Sequence, residues 1–557
     1  MDLGKTFKKM KKMLSGDTGF TRSLSDFLAA NSLHREASPT VLIWELGGFS
    51  LILAKNAIFS LALKVRGYGA RCVLCDGVPE ACIQRGLEQN EAIESWSKRC
   101  PGCLAEMKDM ADKYCLDYSV VGDYVDQGKR EEFSRLSETI EITGILPYEY
   151  LGVRVGELAL SSTNRYMKGY MVDVSELKKE DERVYRKYFY AALVNSYLAS
   201  EMIRESNPVS ILTSHGIYVD YAPPMSLGYS KGTNTISWTS GFADSMHYFT
   251  VPKTANKLDM RGMSLTAWQE RLEAPLSEKE NQSLDEFIHN RYFKSKARDI
   301  AIVSKPEDPA LLKKALGIDN DNPIVCLFTH VSWDACFDCS TMLFETANQW
   351  VIESINKMAA ITDVNWIIRI HPAEKSEESL FTTDDIIKQK FQSLPGHIKI
   401  IWSDSVVNSF GIYQLIDAGI TIFGTCGVEL PLLGKPVIVA GNAHFSGKGF
   451  SVEPASKTDY LSVLEACKEL AHLSEGQVKL ARQYAYSYFV QRQVPIDMIN
   501  KNERHWGDVD VTRLDELLPG KNAVMECICD GIVNGTDVIM RGAPPTTAPG
   551  QNREPIP

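Results

Sequence analysis

The chain has 557 residues, of which 44% are hydrophobic and 24% are charged. This length exceeds what one hydrophobic core usually supports, so two domains are predicted, and the composition excludes a disordered or membrane-embedded protein. With 60 Lys and Arg against 71 Asp and Glu, the net charge is −11. That charge excludes a general nucleic-acid binder, because such a protein needs a basic face to neutralise phosphates.

Residues 1–35 form a basic N-terminal segment in which lysines alternate with Phe7, Met10 and Met13. This pattern suits either a short amphipathic helix on an anionic lipid surface or a solvated, frayed terminus. No apolar run approaches the roughly 20 residues that cross a bilayer, and the hydrophobic segment of a signal peptide is missing. A cytoplasmic protein is predicted, with peripheral contact to the inner membrane as the alternative.

The first domain, residues 36–300, opens with an apolar strand in PTVLIWEL, the pair Gly47 and Gly48, an apolar helix and a strand in ARCVLC. This order is the βαβ opening of a Rossmann-like fold. The glycine pair either closes a tight turn or contacts a ligand. Further strands are predicted in LDYSVVG, VSILTSHG and GTNTISWTSG, with a helix over about 175–205.

The second domain, residues 301–505, repeats this rhythm with strands in PIVCLFTHV, NWIIRIHPAE, IKIIWSD, AGITIFGT and KPVIVAG. Continuous apolar strands that alternate with helices indicate a parallel sheet covered on both faces. The predicted fold class is therefore α/β, with two Rossmann-like domains facing each other across a cleft. A helix over roughly 475–495 is expected to cross back onto the first domain. Residues 506–557 are assigned to a C-terminal extension that ends in a disordered, proline-rich tail.

A cysteine-rich insertion is predicted over residues 72–115 of the first domain, with six of the 13 cysteines. Without a secretion signal, metal ligation or packing is favoured over disulfides. Cys72 is assigned to the core, because residues three apart in a strand face opposite sides. The preferred tetrahedral ligands are Cys75, Cys82, Cys100 and Cys103, the last two flanking a Pro-Gly turn. Structural zinc is preferred to an iron–sulfur cluster, and reduced packing thiols are the alternative.

The stretch GTCGVELPLLGKPVIVAG, residues 424–441, places a glycine turn at a strand end before a short helix. Gly424 and Gly427 allow close backbone approach, and Thr425 supplies a hydroxyl for a phosphate. Glu429 either accepts hydrogen bonds from ribose hydroxyls or favours the first turn of the helix.

Two more strand ends of the second domain carry polar side chains. Arg369 and His371 end the strand in WIIRIHPAE, where open α/β sheets bind ligands, and both suit a phosphate or a sugar. The first strand is followed by FTHVSWDACF, which places four residues at the interdomain cleft: His330, Ser332, Trp333 and Asp334. Of these, His330 and Asp334 are candidate contacts to the nucleotide-sugar donor.

In chain order, THVSWDACF, RIHPAE, WSDSVVNSF, GTCGVELPLLGKPVIVAG and HFSGKGF resemble the C-terminal half of capsule and surface-polysaccharide biosynthesis proteins, the group that includes Kdo transferases. The resemblance implies a GT-B glycosyltransferase whose second domain holds a nucleotide-sugar donor of the CMP-Kdo kind. The implied nucleotide contacts are His371, Ser405, Asn408, Thr425, Gly427 and Glu429. One departure is Thr425-Cys426 in place of the family's Ser-Thr pair, which keeps one hydroxyl and loses the other.

The implied acceptor is a surface polysaccharide or a lipid-linked glycan, with a polysaccharide-assembly complex as a further partner. A transferase must remove a proton from the acceptor hydroxyl. The strand end SHGIYVDYAPP carries His215 as the first candidate base and Asp220 as the second, although His215 could instead bond loop backbone. Two other functions stay open, namely a nucleotide-sugar epimerase of the same fold and a non-catalytic polysaccharide-assembly scaffold.

Overall fold

The computed structural model describes residues 18–33, 38–46, 49–84, 93–168, 177–243, 245–258, 261–293, 306–335, 341–376, 379, 381–503 and 506–540. The predictions for the lysine-rich start, for Gly47 and Gly48 and for the proline-rich tail lie outside these residues. Within them, no helix is long and apolar enough to cross a membrane.

Fourteen strands form two large sheets and one small hairpin within the described ranges. They are β1 (Thr40–Trp44), β2 (Gly69–Leu74), β3 (Asp117–Val120), β4 (Ser210–Ser214), β5 (Asn234–Ser240), β6 (Met246–Thr250), β7 (Ile324–Phe328), β8 (Asn365–Arg369), β9 (Ile398–Ile401), β10 (Ala418–Thr421), β11 (Val437–Val439), β12 (Val494–Pro495), β13 (Ile499–Glu503) and β14 (Trp506–Val509). The strands β13 and β14 pair as the antiparallel hairpin.

Each large sheet has a parallel core of five strands. The first runs in the order β12-β6-β5-β4-β1-β2-β3, and the second in the order β11-β10-β7-β8-β9. At one edge of the first sheet β6 pairs antiparallel with β5, and β12 pairs antiparallel with β6. In both parallel cores the first strand in the chain, β1 or β7, lies in the centre. The next two strands extend the sheet on one side and the last two extend it on the other, which is the Rossmann arrangement. The predicted fold class, α/β with two Rossmann-like sheets, is therefore confirmed.

The first ten helices of the described residues are α1 (Thr18–Asn31), α2 (Ser50–Lys64), α3 (Cys100–Lys113), α4 (Gln127–Thr139), α5 (Ile142–Ile145), α6 (Val155–Met167), α7 (Lys179–Ser206), α8 (Tyr218–Ser230), α9 (Leu265–Leu272) and α10 (Glu278–Phe293). Then follow α11 (Pro309–Ala315), α12 (Ala347–Ala359), α13 (Ala373–Ser376), α14 (Thr383–Lys390), α15 (Ser409–Leu415), α16 (Cys426–Leu432), α17 (Lys457–Glu465), α18 (Glu475–Tyr486) and α19 (Ala523–Asn534). Several begin at side-chain caps, such as the Ser474 hydroxyl that accepts from the Gln477 N–H before α18.

The chain returns to the first domain after α18, as expected. There β12 pairs with β6 in the first sheet. The return continues further than predicted, because residues Met525, Ile528 and Ile532 of α19 are buried in the hydrophobic core that covers the first sheet. Arg66 of α2 also pairs with Glu526 of α19 at 2.6 Å. The segment assigned to a separate extension therefore packs, up to residue 540, as part of the first domain.

The cysteine-rich segment differs from its prediction. Cys100 and Cys103 lie in the first turn of α3 rather than beside a turn, because a proline near the first helical position favours a helix start. Among the described residues, no group of three or more His, Cys, Asp or Glu side chains is arranged to hold a metal ion. The structure thus does not support zinc or an iron–sulfur cluster at Cys75, Cys82, Cys100 and Cys103. Cys72 is buried in the core, as predicted, and burial raises the pKa of its thiol to about 12.

Candidate active site between two strand edges

The topology of the two sheets indicates where a ligand would bind. In each sheet the chain changes direction between two neighbouring parallel strands, β1 and β4 in the first and β7 and β10 in the second. The loops after such strands diverge and leave a crevice at the carboxyl edge of the sheet, where open α/β proteins bind ligands. Glu45 and His215 directly follow β1 and β4, and Thr329 directly follows β7.

The loops after β4 and β7 touch each other, so these two strand edges border the predicted cleft. The Tyr218 hydroxyl donates a hydrogen bond to Asp334 Oδ1 at 2.9 Å and accepts one from the Ala335 N–H at 3.1 Å. Nearby, the guanidinium of Arg165 lies 4.6 Å from the centre of the Trp333 ring. Polar and cation–π contacts thus join the two domains.

His215 lies at the carboxyl end of β4 in an unusual backbone conformation. Its N–H donates to the Trp238 carbonyl at 2.8 Å, and its φ is +56°. Gly216 follows with φ +75°, and a Cβ there would lie 2.8 Å from Leu258 Cδ2 and 2.9 Å from Ser237 Cβ. This turn therefore requires glycine, and it directs the chain into the cleft-facing loop.

The environment of His215 keeps its imidazole neutral. Burial lowers the pKa of His215 to about 4, an effect that Asp334 opposes and that Arg165 among other cations reinforces. The ring stacks on Tyr221, with ring centres 6.0 Å apart. A neutral imidazole can accept a proton at neutral pH, which is the protonation state that a base needs.

Glu45, which sequence reasoning missed, lies beneath this loop at the end of β1. It is fully buried, and its Oε2 accepts a hydrogen bond from the Ser214 hydroxyl at 2.7 Å. Burial raises the pKa of Tyr221, and the nearby Glu45 carboxylate raises it further. Glu45 therefore holds the residue before His215 and lies close to the ring on which His215 stacks. The signal was a carboxylate inside the apolar run TVLIWEL, because an acidic residue is rarely buried without partners.

Asp220, the second candidate base, points into the first domain. Its side chain is 2% exposed, and Oδ2 accepts a hydrogen bond from the Ile83 N–H at 2.6 Å. Burial raises the pKa of Asp220 to about 7. The carboxylate thus anchors the start of α8 from inside, and the structure gives it no access to an acceptor hydroxyl.

His371 follows β8 at the edge of the second sheet. Its N–H donates to the Thr329 hydroxyl at 2.9 Å, which ties together the ends of β8 and β7. The ring Nδ1 accepts from the Ala373 N–H at 3.1 Å. In the neutral ring the proton therefore lies on Nε2, which makes that atom a hydrogen-bond donor suited to a phosphate oxygen.

Arg369 does not face the cleft as predicted, because backbone carbonyls enclose its guanidinium. It is 2% exposed and donates to the carbonyls of Trp402 at 2.9 Å, Val407 at 3.3 Å and Ser405 at 3.4 Å. Burial lowers the pKa of Arg369. Its charge holds the loop after β9 in place, so the structure does not support a direct contact to a leaving phosphate.

Two residues implied as nucleotide contacts shape that same loop. Asn408 is fully buried and caps α15, accepting from the Phe410 N–H at 2.8 Å. The Ser405 hydroxyl accepts from the Val407 N–H at 3.4 Å and is partly exposed. Asn408 therefore has a structural role in this conformation, and Ser405 is the one of the pair that lies at the surface.

His330 begins the loop that carries Asp334. Its ring packs edge-on against Phe423 with centres 4.3 Å apart, and Nε2 lies 3.3 Å from the Asp334 carbonyl oxygen. Burial lowers the pKa of His330. The ring thus connects the end of β7 with the segment after β10.

The glycine turn after β10 packs more tightly than expected. A Cβ on Gly427 would lie 2.0 Å from the Phe445 ring, so this glycine serves packing rather than close approach to a phosphate. Thr425 caps α16 by position, yet its hydroxyl makes no capping hydrogen bond. Cys426, where the family pattern has a second hydroxyl, points into the core, and burial raises its pKa to about 12. The departure at Cys426 therefore removes no hydroxyl from the cleft surface.

Glu429 is buried at the domain boundary instead of facing a ribose. Its Oε1 lies 3.1 Å from Nε of Arg291 in α10, and both side chains are 3% exposed. Its Oε2 accepts from the Tyr413 hydroxyl at 2.9 Å. Because protein groups engage both carboxylate oxygens, this geometry does not support the predicted ribose contact.

No protein-family model and no curated sequence matches the chain. Among solved structures, the Thermosulfurimonas dismutans protein described as KpsC, beta Kdo 2,4 transferase, is similar at 12% identity and a TM-score of 0.32, over 56% of this chain and 87% of that one. The UDP-GlcNAc 2-epimerase from Neisseria meningitidis is similar at 9% identity and a TM-score of 0.25, over 81% and 99%. Spinosyn rhamnosyltransferase SpnG is similar at 10% identity and a TM-score of 0.24, over 81% of this chain and 95% of that one. Likeness at these TM-scores establishes neither an activity nor a ligand for this chain.

Proposed function

We propose that the chain is a glycosyltransferase that moves a sugar from a nucleotide-activated donor, held by the second domain, to a hydroxyl of an acceptor held by the first. The observation that carries this proposal is the hydrogen bond from Tyr218 to Asp334, because it joins the ligand-binding edges of two Rossmann-like sheets. Two substrates bound at these edges would meet in one cleft.

On the donor side, the proposed contacts are the His371 ring, the Thr425 hydroxyl and the Ser405 hydroxyl. Nε2 of neutral His371 donates to a phosphate oxygen and so stabilises the charge that develops as the nucleotide leaves. The Thr425 hydroxyl adds a second hydrogen-bond donor after β10, which lies on the other side of β7 from β8. Gly427, Asn408, Arg369 and Glu429 support these loops from beneath.

On the acceptor side, His215 is the proposed base. It is neutral at physiological pH and lies at the first-domain edge of the cleft. As the acceptor oxygen attacks the anomeric carbon, its proton passes to the imidazole, and the electrons of the donor's C–O bond leave with the phosphate. A donor of the CMP-Kdo kind and a capsular or lipid-linked glycan acceptor are the finer parts of this proposal, supported by the sequence resemblance.

A thermal-shift screen with CMP-, UDP-, GDP- and CDP-linked sugars tests the donor half, since a ligand that binds only the folded state raises the melting temperature. One nucleotide class should stabilise the wild-type chain, and His371→Ala and Thr425→Val should abolish the shift. His397→Ala is the matched control, because His397 precedes β9 at the opposite edge of the same sheet. Stabilisation by none of these ligands would refute the proposal, and epimer formation without an acceptor would favour an epimerase.

A further inference from the structure

Three residues other than glycine adopt left-handed backbone at the contact between the two domains. The φ angles are +56° at His215, +63° at Tyr218 and +50° at Ala335. Such conformations are unfavourable for residues with a Cβ and persist only where surrounding contacts hold them. His215 directly follows β4, Tyr218 is the first residue of α8, and Ala335 lies in the loop after β7, so left-handed residues occur on both sides of one interdomain contact.

The Tyr218 hydroxyl is the polar centre of this contact. It donates to the Asp334 carboxylate and accepts from the Ala335 N–H. The Tyr218 ring is 3% exposed and lies in a cluster of buried apolar residues that includes Ala335 from the other domain. A phenylalanine at position 218 would fill the same volume, yet it would leave the Ala335 amide without its acceptor and Asp334 without this donor.

Asp334 is negative and raises the pKa of His215, whereas the other charges that act on this ring are positive and lower it. Those charges are Arg165 on α6, Lys55 on α2 and Arg261 before α9, all of which belong to the first domain and disfavour a protonated ring. Asp334 comes from the second domain and favours the protonated ring. The imidazolium that forms during proton transfer therefore depends on a carboxylate that the opposite domain supplies.

We propose that Tyr218 is a positioning residue that holds Asp334 of the second domain beside the loop that carries His215 in the first, so that the base is complete only when the domains are closed. This inference rests on the proposed function, which gives His215 the role of base. In that reaction the acceptor O–H bond breaks and an N–H bond forms on His215. Asp334 then balances the new positive charge until the imidazolium gives its proton to solvent water as the product leaves.

Hydrogen exchange on the full-length chain without substrate tests the contact itself. In Tyr218→Phe, the Ala335 amide should exchange about tenfold faster, because it loses its acceptor. Tyr229→Phe is the matched control, since Tyr229 lies on the same helix α8 and donates at the surface to the Lys253 carbonyl. Equal exchange at Ala335 in Tyr218→Phe and wild type would overturn the proposal, whether or not the chain transfers sugar.

Asp334→Asn separates the charge from the contact, because asparagine keeps an oxygen that can accept from Tyr218. Exchange at Ala335 should stay as in wild type, while kcat for transfer falls about tenfold or more and KM for the donor changes less than twofold. The acid limb of kcat/KM should move to lower pH, because loss of Asp334 lowers the pKa of His215. An unchanged kcat and pH profile would overturn the role of Asp334. If the wild-type chain binds no nucleotide sugar, the proposed function is refuted, while the exchange result at Ala335 still stands.

Discussion

Replacing Glu429 by glutamine should destabilise the second domain, because the structure pairs its carboxylate with a buried arginine. Arg291 Nε lies 3.1 Å from Glu429 Oε1, and both side chains are 3% exposed. Removing one partner of a buried pair leaves the other charge uncompensated and costs about 3–5 kcal/mol. In a domain of 150–250 residues, each kcal/mol corresponds to about 2–4 °C, so the domain's transition should fall by about 10 °C.

Differential scanning calorimetry of Glu429→Gln measures this loss directly. Asp285→Asn is the matched control, because Asp285 lies on α10 like Arg291 and pairs with Arg482 of α18 at 2.8 Å. The Asp285 side chain is largely exposed, so loss of this pair should cost less than about 1 kcal/mol. Adding Arg291→Met to Glu429→Gln should restore at least half of the lost stability, since the buried charge is then gone. If Glu429→Gln has the transition temperature of the wild type but no longer binds a nucleotide sugar, the buried-pair role is refuted. Glu429 would then be a ribose contact, as the sequence predicted.

Three further outcomes follow from the same structure. Burial raises the pKa of Asp220 from 3.8 to about 7, so the native state loses stability as the pH rises through this range. Asp220→Asn should therefore stabilise the chain by about 2–4 kcal/mol at pH 8 and little at pH 4, as measured by chemical denaturation. Equal stabilisation at both pH values would contradict a raised pKa at Asp220. The acid limb of kcat/KM should fall near pH 4 rather than near 6.5, since burial lowers the pKa of His215 to about 4; a limb near 6.5 would exclude His215 as the base. Gly427→Ala should destabilise by about 3 kcal/mol, because its Cβ would meet the buried Phe445 ring at 2.0 Å, whereas Gly396→Ala has open space and should change stability by less than about 0.5 kcal/mol.

The parallel cores of both sheets could be predicted from the sequence, because strands buried on both faces are continuous apolar runs. Two other elements escaped prediction for physical reasons. The helix α8 contains Pro223 and Pro224 in its interior, and adjacent prolines normally indicate a break. The strand β12 has only two residues, and its partner β6 lies far away in the chain, so no local pattern reveals the pair.

The position of the candidate site was predictable, whereas its side-chain partners were not. Strand ends in an open α/β sheet meet at one edge, so the loops of His215, His371 and Thr425 could be assigned to the cleft from the order of elements alone. Whether a charged residue faces that cleft depends on partners distant in sequence. Glu429 meets Arg291 from α10, and Arg369 meets carbonyls of the loop after β9, so both are engaged inside the protein.

A crystal structure of the chain with the nucleotide that stabilises it best in the thermal-shift screen tests the proposed donor site most directly. We expect electron density for the phosphate within hydrogen-bond distance of His371 Nε2 and the Thr425 hydroxyl, with the sugar end directed towards His215. Density for the nucleotide at the carboxyl edge of the first sheet, or outside the cleft, would contradict it.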